Sequence, residues 1–163
     1  MNSCELLFLL KKEAEEIPIE NFINIETSKV DEINQVESMN YIAYNMNRYN
    51  RSVFLEIKNR RKVNTCDEIN KDLLNDFKKH IEYYMEESAP GLTGLKRYIL
   101  LVSTYLVFIK KRPLHPPGMI MRGREKIIAI DGKFYCPLKI EQLEDKHSLC
   151  VFCVCKDATG LSS

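Results

Sequence analysis

The chain reads as a mainly α protein, a bundle of about four to five helices with a small C-terminal β-hairpin and a Cys/His metal-binding segment. Three observations lead there. Apolar residues recur every three or four positions through most of residues 1–112, the spacing of a buried helical face. At Pro113 that period stops, and Asp131-Gly132 between two apolar runs marks a tight hairpin. Four of the six cysteines and two of the three histidines fall between His115 and Cys155. We divide the chain into a helical bundle over 1–112, a hairpin and metal-binding segment over 113–157 packed on it as one domain, and a loose tail over 158–163.

The totals narrow the options. In 163 residues, 45% apolar and 29% charged side chains suffice for one core and a soluble surface. A net charge of +1 argues against a general nucleic-acid binder but leaves room for a local basic patch. Leu6-Leu7-Phe8-Leu9-Leu10 lacks the preceding basic charge and the cleavage site of a secretory leader. The apolar run over 98–109 is too short to span a bilayer. The expectation is a cytoplasmic protein with no membrane partner, whose clustered thiols stay reduced and serve a metal or catalysis.

The helices follow in order. The first covers about 3–16: Asn2 caps it, Glu5 reaches back, Leu6, Leu9, Leu10 and Ala14 share a face, and Pro18 ends it. Residues 19–25 form a short helix or turn. A long amphipathic helix spans about 31–61, with Ile33, Val36, Met39, Ala43, Met46, Val53 and Ile57 on its stripe. Tyr41, Tyr44 and Tyr49 flank that stripe, where a core-edge role outweighs a base-stacking platform. The basic end, Lys58-Asn59-Arg60-Arg61-Lys62, complements the helix dipole or, less commonly for such runs, offers a phosphate patch.

Thr65 and Glu68 make a capping box for the next helix, which stops near Ser88 and carries Ile69, Leu73, Phe77, Ile81 and Tyr84. Cys66 in its first turn reads as a reactive thiol, a ligand or, more commonly, a small filler, and His80 as a surface or boundary histidine. The helix over 95–111 is apolar nearly all round and belongs at the centre of the bundle, ending in Lys110-Lys111-Arg112. Beyond it, Leu114-His115-Pro116-Pro117-Gly118 cannot be helical. Met119-Ile120-Met121 is a short strand, Arg122-Gly123-Arg124 a turn or loop, and the hairpin runs over 126–136. A charged loop over 141–146 precedes the last thiols.

Cys150-Val151-Phe152-Cys153 is a C-x-x-C, a spacing that lets one tight turn aim two sulfurs at one ion. Cys136 ends the hairpin and Pro137 holds it extended, so Cys136, Cys150 and Cys153 make three ligands. The fourth has four candidates. His115, fixed by two prolines, comes first and would complete a Cys₃His set. Cys155 is second, only two residues from Cys153. Cys66 is third and His147 last, the latter in a charged loop. Soft sulfur and imidazole donors favour zinc, with an iron–sulfur cluster behind it. A redox pair at Cys150 and Cys153 ranks lower still, since a strand-then-helix context is missing.

The pattern of His115-Pro116, a Gly-containing loop, Phe134-Tyr135-Cys136-Pro137 and Cys150-x-x-Cys153 resembles an uncharacterised family found mainly in methanogenic archaea, catalogued as domain of unknown function 2115. A helical N-terminal part of about this size is similar too, so the resemblance covers most of the chain. It implies His115, Cys136, Cys150 and Cys153 as the matching site positions and leaves Cys66 and Cys155 outside the pattern. It also implies an anaerobic host, which gives iron–sulfur chemistry more weight.

Three function classes remain. The first is a binding or interaction protein, for a protein or small-molecule partner, with a closed structural zinc. The second is a zinc-dependent hydrolase, with Glu125 or Asp131 as general base and Arg122 or Arg124 opposite developing negative charge. The third is a nucleic-acid module using Lys58 to Lys62, Arg122, Arg124 and Lys126, against which the near-zero net charge weighs.

Overall fold

Asn2 accepts hydrogen bonds from the Cys4 and Glu5 amides at 3.0 Å, and the Glu5 carboxylate accepts from the Asn2 amide at 3.0 Å. This reciprocal box opens α1, Ser3–Glu16, as the sequence predicts. The computed structural model describes residues 1–22, 39–121 and 125–161. On α1 the buried side chains are Leu6, Leu7, Leu10 and Ala14, with Leu7 taking the place expected of Leu9. A 3-10 turn, Ile19–Phe22, follows. The expected start of the second helix near residue 31, and its Ile33 and Val36, lie outside the described residues.

The described part of that helix is α2, Met39–Asn59. It buries Asn50, Val53, Phe54 and Ile57. Two of its tyrosines, Tyr41 and Tyr49, bind the following segments, the core-edge role expected of them. The Tyr49 hydroxyl donates to the Pro113 carbonyl at 2.8 Å, and the Tyr41 hydroxyl accepts from the Ile120 amide at 3.2 Å.

The next helix starts later than expected. Asn70, not Thr65, caps α3, Lys71–Ser88, by accepting from the Leu73 amide at 3.0 Å. Thr65 and Glu68 are instead used by the chain's N-terminus. Ser3 Oγ donates to the Thr65 carbonyl at 3.0 Å, the Ser3 amide to Asp67 O at 2.8 Å and the Ile69 amide to Met1 O at 3.0 Å. The buried stripe is Leu74, Phe77, Ile81 and Met85, while Leu73 and Tyr84 are exposed. A ladder of fours drifts about 40° per step around a 3.6-residue helix; the 3-4-4 spacing stays on one face.

α4, Thr93–Thr104, continues without a break into a π-helical stretch, Tyr105–Lys110, that ends at Lys111 with φ of 51°. Tyr98, Leu101, Val102, Tyr105, Leu106, Val107 and Phe108 are all buried. This helix packs against α1, α2 and α3, the central position its apolar circumference predicts. The basic ends of α2 and α4 meet at one carboxylate. Glu56 receives Lys110 Nζ at 2.8 Å, Arg112 Nη2 at 3.0 and 3.2 Å, and the Tyr105 hydroxyl at 2.9 Å, with Arg60 Nη1 at 3.4 Å.

The hairpin forms where the sequence places it. β1, Ile128–Ile130, pairs antiparallel with β2, Lys133–Cys136, and Asp131 and Gly132 take the positive φ angles of 49° and 74° that a two-residue turn needs. Arg122, Gly123 and Arg124 lie outside the described residues. The expected loop over 141–146 is helical in its first part, as α5, Lys139–Leu143. β3, Lys156–Asp157, just before the expected tail, adds to β2 in parallel, giving a sheet of order β1-β2-β3. No helix among the described residues is long and apolar enough to cross a membrane.

Candidate functional site

Three separate segments bring the C-terminal thiols together. Cys136 ends β2, a 3-10 turn at Leu149–Val151 presents Cys150 and Cys153, and Cys155 immediately precedes β3. Pairing of Cys136 with Asp157 across the β2–β3 ladder fixes how near the chain returns. Cys136 and Cys155 are buried in a small cluster with Ile127, against which Cys153 packs. Cys153 also packs against the main helical core. It is therefore the residue at which the thiol segment and the bundle join. Phe152 reinforces that joint, its ring meeting Phe77 edge-on at 5.2 Å and His80 at 5.0 Å.

The sulfurs lie near enough to shift one another's acidity. The Cys155 thiol donates a hydrogen bond to the Cys153 sulfur; this, with backbone N–H bonds from Cys155 and Leu114, brings the Cys153 pKa down to about 6 despite burial. The same bond, burial and the neighbouring Cys153 and Cys136 charges push Cys155 far up. Burial raises Cys136, and the charges of Cys150 and Cys153 add to it, against a bond from the Leu138 amide. At both Cys136 and Cys153 the amide two residues on is aimed at the sulfur, an arrangement that favours a thiolate. Lys139 supplies the local positive charge. Its Nζ donates to the Cys153 carbonyl at 2.9 Å and also to the Cys150 carbonyl, tying α5 to the turn.

The remaining predicted residues are placed as follows. His115 follows Leu114, whose amide reaches Cys153, and is partly buried; loss of water holds its imidazole below the usual value. His147 stacks on Tyr83 at 4.1 Å, turned to α3 rather than to the thiols. Cys66 is bonded to Cys4, with a Cα–Cα distance of 5.1 Å, and so is not a ligand candidate. That crosslink departs from the reduced state expected of thiols in a cytoplasmic protein. Glu125 and Asp131 are exposed, and the charges that act most on Cys136, Cys153 and Cys155 are other thiols and Lys139. The general-base role expected of either carboxylate thus finds no support in the arrangement.

Sequence reasoning missed Cys4, Lys139 and the Leu114 amide. Nothing in the pattern marked Cys4 as a partner of Cys66. The donor chemistry fits a thiophilic ion: two buried and two half-buried thiols, amides aimed at sulfur and one compensating lysine. Among the described residues, however, no three His, Cys, Asp or Glu side chains already stand as a set able to hold a metal ion.

A family model described as "Uncharacterized protein conserved in archaea (DUF2115)" matches residues 2–158. A UPF0305 protein of Methanocaldococcus jannaschii is 32% identical over 164 residues, which cover 99% of this chain and 99% of that protein. One of Methanococcus maripaludis strain C7 is 29% identical over 170 residues, covering 99% of this chain and 100% of its own. A third, from Methanothermobacter thermautotrophicus, is 23% identical over 158 residues, 94% of this chain and 95% of its own. No solved structure matches the chain significantly. The family match spans the helical bundle, the hairpin and all four C-terminal thiols, and the chain belongs to this archaeal family, DUF2115.

Proposed function

We propose that the chain is an interaction protein whose C-terminal sheet is stapled to its helical bundle by a structural zinc ion. The observation that carries this reading is the convergence of Cys136, Cys150, Cys153 and Cys155 from three segments into one another's electrostatic field. Like charges so placed cannot all ionise in a partly buried setting unless a cation joins them. Cys136, Cys150 and Cys153 are the three ligands. Cys155, already hydrogen-bonded to Cys153, becomes the better fourth donor, and His115 is the alternative. When bound, zinc supplies the positive charge and the cross-link. The chain's own residues orient the sulfurs: the Leu138, Cys155 and Leu114 amides donate to them, and Lys139 holds the turn.

In a closed four-ligand site there is no open position for water, so this reading has no hydrolytic step. An iron–sulfur cluster on the same thiols would give a coloured protein, and a colourless zinc-replete sample separates the two. The experiment is amide hydrogen exchange on the full chain with and without a chelator. Strand amides over 128–136 and 156–157 should lose protection when metal is removed, while α4 keeps its own. Identical exchange in both samples would remove the structural role. Cys155→Ser and His115→Ala then identify the fourth donor, since only one of them should weaken zinc binding.

A further inference from the structure

The near-neutral total charge hides a local imbalance. On α1, Phe8 stands 70% exposed, the most exposed large apolar side chain among the described residues, with Lys11 and Lys12 one turn further on. Arg61 and Lys62, just after α2, face them across a cleft of about 580 Å³. Glu15 is the one acidic side chain lining it, so four cations meet one carboxylate. Among the described residues none of the four cations is in an ion pair. By contrast Arg60, next to Arg61 in sequence, is drawn with Lys110 and Arg112 to Glu56. The surplus charge is therefore in the cleft itself.

The walls are also fixed. Lys11 Nζ donates to the Arg60 carbonyl at 2.7 Å, and the Cys4–Cys66 bond holds the segment after Val63 beside α1. An exposed ring beside cations from two walls matches a chain that alternates flat bases with phosphates. A single strand offers an unstacked base to such a ring; a duplex does not. An acidic peptide would satisfy the cations but has no regular use for the ring.

We propose that this cleft binds single-stranded nucleic acid, with a base stacked on Phe8 and the flanking phosphates held by Lys12, Arg61 and Lys62. The Lys11 ammonium, bonded to a carbonyl, adds charge without releasing its wall. Nothing in this depends on the metal, so the two readings fail separately.

The test is fluorescence anisotropy of a labelled twelve-nucleotide oligouridylate with the full-length, zinc-treated protein. With about three or four phosphates neutralised, affinity should fall about 20- to 50-fold between 50 and 200 mM salt. Phe8→Ala should weaken binding about five- to 150-fold and Phe8→Trp should preserve it. Glu15→Gln should tighten it, a gain that a damaged fold would not produce. Unchanged melting of each variant excludes a folding defect, which the exposure of Phe8 makes improbable. Absence of binding at 50 mM salt, or equal affinity in Phe8→Ala, overturns the proposal. So does tighter binding of a twelve-residue polyglutamate peptide or of phosphatidylglycerol vesicles, which would assign the cleft to a different partner.

Discussion

Replacing Glu56 by Gln keeps the shape of the side chain and removes the charge that four groups address. Lys110 at 2.8 Å, Arg112 at 3.0 Å and the Tyr105 hydroxyl at 2.9 Å would each lose an ionised acceptor. A charge-assisted hydrogen bond contributes about 1.5–3 kcal/mol. The side chain is 29% exposed, so screening by water reduces this, and the loss should be about 1–2 kcal/mol at pH 7. The pH dependence is the sharper part. Desolvation alone would raise the Glu56 pKa, but the bonds from Lys110 and Tyr105 and the Arg112 charge outweigh it, and the folded value lies below the usual 4.5. Between the folded and unfolded values the unfolded chain binds more protons. The contribution is therefore complete above the unfolded value and fades as pH falls through the folded one. Urea unfolding of wild type and Glu56→Gln at pH 7 and again at about pH 3, where most carboxylates are protonated, measures it. The gap should be present at pH 7 and shrink in acid. Equal stability at pH 7, or a gap that stays constant with pH, would refute the account of this cluster.

Phe77 is fully buried and meets Phe108 at 5.5 Å and Phe152 at 5.2 Å, so Phe77→Ala should cost about 3–5 kcal/mol by urea denaturation and loosen the C-x-x-C turn as well. Asn2→Ala removes both cap bonds of α1 and should cost about 1 kcal/mol, seen as a lower urea midpoint with an unchanged slope.

What could be read from the chain depended on how far apart the interacting residues lie. Asn2 and Glu5 are three apart, and their box was legible. So was the Asp131-Gly132 turn, which is decided by backbone geometry at two residues. Thr65-x-x-Glu68 carries the same local signal as a true capping box, but Ser3 and Met1 claim that segment from more than sixty residues away, and Asn70 caps the helix instead. Cys66 was misjudged for the same reason, its partner Cys4 lying 62 residues earlier. The apolar run over 98–109 announced a central helix, yet its composition does not distinguish α from the π-helical turn at Tyr105–Lys110. The spacing of Cys136, Cys150 and Cys153 marked the thiol segment, and the structure gathers these residues at the end of β2 and at the turn at Leu149–Val151. That Cys155 shares a bond with Cys153 is compatible with their spacing, since residues two apart on an extended chain lie on one face.

The proposed function rests on one dependence above the others, that of the sheet on a bound ion. Elemental analysis of the reduced full chain, purified without a metal column and refolded with zinc, tests it most directly. About one zinc per chain, retained by wild type and lost by a Cys136→Ser, Cys153→Ser double variant, is the expected result. A zinc content near zero in the wild-type protein, or one the double variant leaves unchanged, would contradict it.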